Sequence, residues 1–186
     1  REIPPNSQEF LGSTSLFSPT GKYFVRSSTL ITQSDENPYE PEVILRVELY
    51  RRAGDQYAPL YMPPLNVDPF FIQDDSTRPF VVAVFVSDED LRVNTGKVVL
   101  SGMPPLGFAV ADCAEHQYRL EDGSVTLVSQ NENGAFLQPF NTPGVWSGIN
   151  EATELILWDA RDGEIKEVLR VELMSISEDG VAIVSP

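Results

Sequence analysis

Short apolar stretches alternate with turn-forming dipeptides along most of this chain. Within the stretches Val, Ile, Phe and Tyr are enriched and recur at every second position, which is the pattern of a β-strand. Strands are predicted at residues 22–32, 42–52, 57–62, 79–87, 96–102, 107–112, 124–129, 134–140, 153–159, 164–175 and 180–185. No longer segment carries a helical period, and at most residues 87–93 and 147–153 form short helical turns. The pattern predicts an all-β sandwich or barrel.

Four dipeptides between the predicted strands are suited to tight turns. Each places Gly after Asp or Asn, and such pairs accept the positive backbone angles of hairpin turns. They are Asp122-Gly123, Asn133-Gly134, Asp162-Gly163 and Asp179-Gly180. Hairpins or bulged turns are predicted at these positions.

The pentapeptide LRVEL occurs twice, at residues 45–49 and 169–173. Each copy places Leu, Val and Leu on one face and Arg and Glu on the other, as in a half-buried strand. Antiparallel pairing centred on Val47 and Val171 would set each Arg against a Glu, whereas parallel pairing would set Arg against Arg. The repeat therefore predicts that these two strands are antiparallel neighbours.

A pair between an early and a late strand indicates nested pairing, in which the first strand also lies beside the last. That arrangement is a jelly roll, and another antiparallel β-sandwich is the alternative. Residues 1–21, with their Pro pair, are then predicted to be an extended N-terminal arm. Residues 22–186 are predicted to be a single β-barrel domain.

The charge balance limits the partners of this protein. It has 28 acidic and 13 basic residues, a formal net charge of -15, and Lys only at positions 22, 97 and 166. Such a surface repels nucleic acid phosphates and anionic lipid headgroups, so direct nucleic acid binding is not expected. An acidic, Lys-poor surface fits a protein of high salt or an ordinary acidic protein. The longest apolar run, Phe80–Val86, is too short to cross a bilayer.

No catalytic or metal-binding motif is present in the sequence. Cys113 and His116 are close in the chain, but on an extended strand their side chains point to opposite faces. They do not form the dyad of a thiol enzyme, and with Glu115 they supply too few ligands for structural zinc. The acidic segment 159–164 lacks the spacing of a calcium loop and is read as a solvated turn. We expect no enzyme activity, no cofactor, no metal and no small-molecule substrate.

Two residues are candidate contacts between subunits. Cys113 follows an apolar stretch, where its thiol is either a small buried hydrophobe or a link to another subunit. Trp146 lies in a Pro- and Gly-containing segment and is predicted to be a sugar-stacking platform or a subunit contact. Trp158 shares a strand face with Ile156, which predicts a packing role.

In design and composition the whole chain resembles the small single-jelly-roll major capsid proteins of icosahedral, internal-membrane viruses of halophilic archaea. The shared features are the acidic, Lys-poor composition, strands throughout, a Pro-bearing N-terminal segment and no active-site signature. The resemblance implies a self-assembling subunit of the virion shell, close to the enclosed membrane, whose partners are copies of itself and a related larger subunit. The alternative is a carbohydrate-binding β-sandwich module that uses Trp146 with nearby Tyr or Asp residues.

Overall fold

A computed structural model of the protein describes residues 8–32, 42–65, 70–71, 76–100, 108–132, 134–139, 145–152, 154–159, 166–176 and 182–184. Strands dominate these residues, and no helix occurs among them. The strands are β1 (Gln8–Phe17), β2 (Tyr23–Thr32), β3 (Glu42–Ala53), β4 (Gln56–Leu60), β5 (Phe70–Phe71), β6 (Thr77–Phe85), β7 (Asp90–Leu100), β8 (Phe108–Glu121), β9 (Ser124–Asn131), β10 (Ala135–Pro139), β11 (Val145–Asn150), β12 (Glu154–Asp159), β13 (Lys166–Ile176) and β14 (Ala182–Val184). The predicted all-β class, an antiparallel β-sandwich, is confirmed.

The strands form three antiparallel sheets in chain order. Sheet 1 has the order β1-β2-β3-β4, with β5 also paired to β3; sheet 2 is β6-β7-β8-β9, and sheet 3 is β10-β11-β12-β13-β14. Gly54 and Gly123, with φ of 66° and 89°, lie in the turns after β3 and β8. Residues with a side chain rarely adopt such angles, so these glycines permit the two-residue β3–β4 and β8–β9 hairpins.

Of the four predicted tight turns, one closes a hairpin and one lies where the chain changes sheet. Asp122-Gly123 closes the β8–β9 hairpin, as predicted. Gly134 instead lies between β9 of sheet 2 and β10 of sheet 3, so the chain leaves one sheet for another there, while Asn133 lies outside the described residues. The dipeptides at 162–163 and 179–180 also lie outside them.

The two LRVEL copies are not neighbours, and the nested pairing expected of a jelly roll is not found among the described strands. β3 pairs with β2, β4 and β5, whereas β13 pairs with β12 and β14. β2 pairs with β1 and β3 rather than with the last strand. Pairing through short turns costs less chain entropy than pairing strands that are distant in sequence.

Sheet 2 is the central layer because its strands contribute side chains to two separate cores. The first core joins it to sheet 1, and its buried residues are Tyr23, Val25, Leu49, Val81, Ala83, Phe85, Leu91, Val93, Tyr118 and Leu120. The second core joins it to sheet 3, and its buried residues are Phe80, Val82, Val84, Val110, Cys113 and Ala135. Alternate residues of β6 enter the two cores, which explains why this strand is a continuous apolar run rather than an alternating one.

Several segments differ from the sequence-based prediction. Residues 8–17, predicted as part of an extended arm, form β1 and pair with β2 at the edge of sheet 1. The predicted helical turns are also wrong, because residues 90–93 belong to β7 and residues 147–150 to β11. Val93 is fully buried in the first core. Burial in a sheet overrides the weak local preference of these short segments.

Candidate functional site

A cleft among the described residues lies between sheets 2 and 3. Its volume is about 620 Å³, and we call it the interlayer cleft. Its lining comes from six strands, the connection between β9 and β10 and the turn between β11 and β12, and comprises Arg92, Glu115, Glu132, Gly134, Ala135, Asn150, Glu151, Ala152, Ile156, Trp158 and Arg170. This volume is in the range of small-ligand sites. The cleft is therefore the candidate functional site.

The aromatic wall of the interlayer cleft is Trp158 on β12. It lies directly opposite Trp146 on β11, and both indoles are half-buried and pack against the second core. Only Trp158 lines the cleft. Trp146 therefore lies in a strand rather than in the open segment that the sequence indicated, and Trp158 combines its predicted packing role with exposure to the cleft.

The sheet 2 side of the cleft carries an arginine held by two carboxylates. Arg92 on β7 donates from Nη1 to Oε1 of Glu115 at 2.9 Å and from Nε to Oδ1 of Asp90 at 3.3 Å. Side chains of this trio are about one-quarter exposed. A partly buried, charge-assisted pair of this kind fixes the guanidinium and leaves its remaining N–H groups for a bound molecule.

The sheet 3 side carries a second arginine, Arg170, which is the Arg of the second LRVEL copy. Its Nη1 donates to Oε2 of Glu154 at 2.5 Å, while Nε and Nη2 each lie 2.8 Å from an oxygen of Glu167. Asn150 donates to the same Glu154 oxygen at 2.7 Å. The Asn150 hydrogen bond, followed by the Arg170 contact, holds the pKa of Glu154 below its usual value. Glu154 therefore stays ionised and keeps Arg170 at the cleft.

Cys113 is buried in the second core and not at the surface. Its exposed fraction is 3 %, and burial, followed by the charge of Glu151, raises the pKa of the thiol to about 12. Its backbone N–H donates to Oε1 of Glu151 at 2.6 Å, which ties the β11–β12 turn to β8. This placement agrees with the small-hydrophobe alternative. A disulfide to another subunit would require the core to open.

A close approach of two backbones holds the start of β10 against sheet 2, where Gly134 and Ala135 line the cleft. A Cβ at Gly134 would lie 2.6 Å from backbone atoms of Ala114, which only glycine avoids. The next residue, Ala135, donates its N–H to the buried Oδ1 of Asn94 at 3.1 Å. These two contacts hold the start of sheet 3 against sheet 2.

His116 is fully buried and lies opposite Val93, which belongs to the first core. Cys113 belongs to the second core, so the two side chains serve different faces of β8, as strand alternation predicts. Among the described residues, no group of three His, Cys, Asp or Glu side chains could hold a metal ion. The geometry brings together neither a dyad nor a metal centre at these residues.

Sheet 1 carries an exposed group of aromatic side chains, Phe17 with Phe24 and Tyr57. Phe17 is 62 % exposed, and its ring lies 5.0 Å from that of Phe24 and 5.7 Å from that of Tyr57. The ring planes are tilted by 44° and 54°. Phe17 and Phe24 are cross-strand neighbours, and the tilted rings do not offer one flat face. The interlayer cleft is the better candidate because it combines an aromatic wall with hydrogen-bonding groups.

Sequence reasoning missed most of the cleft residues. Arg92 and Glu115 come from different strands and belong to no motif, so only the pairing of β7 with β8 brings them together. Arg170 was identified, but as part of a cross-strand pair. The one usable signal was the presence of two Trp residues near adjacent predicted strands.

No protein-family model matches this chain, and no curated protein shows significant sequence similarity to it. None of the described residues forms a helix long and apolar enough to cross a membrane.

Proposed function

We propose that the interlayer cleft binds a neutral saccharide and that the protein is a carbohydrate-binding β-sandwich. The observation that carries the proposal is the Trp158 ring on the wall of a cleft of about 620 Å³ that is otherwise lined largely by polar side chains. An indole face packs against the C–H groups of a sugar ring, and side chains of Arg, Asn and Glu hydrogen-bond its hydroxyl groups.

The charges of the cleft favour a neutral ligand over an ionic one. Arg92 and Arg170 each already contact two carboxylates. An anionic ligand would have to compete with these carboxylates and approach a surface of net charge -15. A cation would meet the two guanidinium groups. Hydroxyl groups can donate to the Glu oxygens and accept from the Arg N–H groups without breaking either network.

The two tryptophans provide a matched pair of variants for a test. Trp146 is the control because it faces Trp158 across the strand pair and packs on the same core, yet does not line the cleft. Trp146→Phe leaves Trp158 as the only indole, so neutral oligosaccharides of glucose, mannose, galactose and N-acetylglucosamine should produce a saturable fluorescence change. Trp158→Phe should abolish that change, and calorimetry should show weakened binding of the same oligosaccharide.

If none of these oligosaccharides binds saturably up to about 10 mM, where the binding free energy is only about -2.7 kcal/mol, the saccharide proposal is refuted. Equal loss of affinity in both variants, with circular dichroism unchanged, would also refute it. In that case the effect would come from the shared core and not from the cleft.

A self-assembling structural subunit, such as that of a viral shell, is the second candidate. It is supported by four exposed aliphatic side chains on β9 and β13, namely Leu127, Val128, Val168 and Leu169. Exposed aliphatic groups on strands are common at contacts between copies. If this candidate is correct, native mass should increase with ionic strength as the like charges of the copies are screened. A constant monomer mass at every salt concentration would contradict it.

A further inference from the structure

Strand β8 contains a β-bulge at Asp112 and Cys113. Where β7 contributes one residue, Gly96, β8 contributes these two, and the register of the pair shifts. Asp112 has a φ of 52°, and no other non-glycine residue among those described lies in the left-handed region. Its Oδ2 lies 2.6 Å from Nζ of Lys97. A Cβ at Gly96 would lie 2.9 Å from the buried Phe80 ring, so a larger residue there would displace the ring. Contacts on both strands therefore hold the bulge in place.

The bulge makes one backbone N–H available to sheet 3. Cys113 donates its N–H to Oε1 of Glu151 at 2.6 Å. Glu151 lies in the turn between β11 and β12 and lines the interlayer cleft. Asn150 shapes the same turn, because its Oδ1 accepts the N–H of Glu154 at 3.0 Å. β-Bulges commonly redirect a group beside a binding site. Here the bulge fixes one carboxylate oxygen of Glu151, while Oε2 makes no hydrogen bond to a described residue.

Glu151 differs from the other two carboxylates of the cleft lining, Glu115 and Glu132. Glu115 is paired with Arg92 at 2.9 Å, so its charge is compensated. Glu132 makes no hydrogen bond or ion pair with a described residue, so no such contact fixes it. Glu151 contacts no Lys or Arg side chain in the described part of the chain, yet a backbone N–H holds it. Its negative charge is therefore both uncompensated and fixed.

We propose that Glu151 determines the specificity of the interlayer cleft, by accepting hydroxyl groups of neutral sugars and repelling the carboxylates of acidic sugars. This inference rests on the proposed saccharide function and assigns the preference for neutral ligands to one residue. An ionised carboxylate only accepts hydrogen bonds, so Oε2 can pair with a sugar hydroxyl but not with an ionised C6 carboxylate. Specificity of this kind combines an attractive contact with a repulsive one, and the fixed charge of Glu151 supplies both.

Matched sugars that differ only at C6 test the assignment. Calorimetry at pH 7 would compare oligogalacturonate with oligogalactose, and oligoglucuronate with oligoglucose. Wild-type protein should bind the acidic member of each pair at least about tenfold more weakly. Glu151→Gln keeps an acceptor for the Cys113 N–H and removes the charge. It should reduce this ratio at least about fivefold, the effect of one charge about 4 Å away in a medium as polar as water.

Glu121→Gln is the matched control for the ratio. Glu121 is an exposed residue of β8 that does not line the cleft, and its variant loses the same charge. The ratio of dissociation constants should stay at the wild-type value. A purely structural role of Glu151 would weaken both sugars equally and would not change the ratio either.

Hydrogen exchange of the Cys113 amide tests the contact with the bulge and needs no ligand. Exchange should be slow in the wild type and in Glu151→Gln, because both supply an acceptor oxygen. It should be at least about tenfold faster in Glu151→Ala, which supplies none. Equal exchange rates in all three proteins would overturn the hold of the bulge on Glu151.

The sugar measurements separate failure of this inference from failure of the proposed function. If the wild type binds neutral sugars and Glu151→Gln leaves the ratio unchanged, the role of Glu151 is overturned and the proposed function stands. Wild-type protein that binds acidic sugars as tightly as neutral ones would also overturn that role. If no neutral sugar binds, the proposed function and this inference both fail.

Discussion

The seating of β10 on sheet 2 can be tested with a single added methyl group. Gly134→Ala would place a Cβ 2.6 Å from backbone atoms of Ala114, whereas ordinary contact begins at 3.4 Å. One of the two backbones must therefore move by about 0.8 Å, the difference between these distances. β8 cannot easily move, because β7 and β9 hold it on both edges. We expect β10 to lift instead.

Lifting β10 has two costs. Overpacking of this kind typically costs about 1–3 kcal/mol. Weakening of the buried hydrogen bond from Ala135 N–H to Asn94 Oδ1, now 3.1 Å long, adds about 1 kcal/mol or more. The sum is about 2–4 kcal/mol in the free energy of unfolding. For a chain of this size, that lowers the melting temperature by roughly 4–16 °C.

Gly12→Ala is the matched control for this measurement. Gly12 is an exposed strand residue, and an added Cβ would meet no atom within 4 Å. It should be neutral or slightly stabilising, because Ala restricts the unfolded chain more than Gly does. Urea unfolding followed by circular dichroism would compare the two variants with the wild type. Free energies of unfolding for Gly134→Ala and Gly12→Ala that agree within about 0.5 kcal/mol would refute the close approach, since this is the usual range for surface changes.

Three further predictions concern buried and charged groups. Tyr118→Phe should leave the free energy of unfolding unchanged or raise it by about 1 kcal/mol, because the buried hydroxyl has no hydrogen-bond partner among the described residues. A free energy of unfolding lower by more than about 1 kcal/mol in urea would contradict this and reveal a partner. Native Cys113 should react with iodoacetamide at pH 8 far more slowly than in urea, because burial raises the pKa of its thiol to about 12; rapid labelling of the folded protein would contradict its place in the core. The melting temperature should fall as pH drops below about 4.5, and Glu154→Gln should reduce this fall. Folding lowers the pKa of Glu154, so the unfolded chain binds more protons in that range and stability is lost on acidification. An equal fall of the melting temperature with pH in the variant and the wild type would argue against the Asn150 and Arg170 contacts.

The class of fold and most strand positions were predictable because they depend on local properties. Alternation and β-branched residues identified β2, β3 and β9 within a few residues. Asp122-Gly123 specified a hairpin because its backbone preference is intrinsic. β1 was missed because its sequence, QEFLGSTSLF, is largely polar, and only pairing with β2 makes it a strand.

The candidate site could not be predicted, because its residues meet only through packing between layers. Arg92 and Arg170 lie on different sheets, and each is an ordinary polar position of an alternating strand. Trp146 and Trp158 have similar surroundings in the strand pair, yet only Trp158 lines the cleft. The start of β10 lies against sheet 2 through Gly134 and Ala135, and this contact between layers cannot be predicted from the local sequence pattern.

The repeated pentapeptide LRVEL separates what the local sequence determines, the strand, from what it does not, the buried face. Its alternation determined that both copies form strands, and both do. In β3 the apolar side is buried, with Leu49 only 2 % exposed. In β13 Leu169 is 46 % exposed, while Arg170 lines the interlayer cleft. Alternation specifies two chemically different faces, but the layer packed against each face decides which one is buried, and that depends on the whole chain.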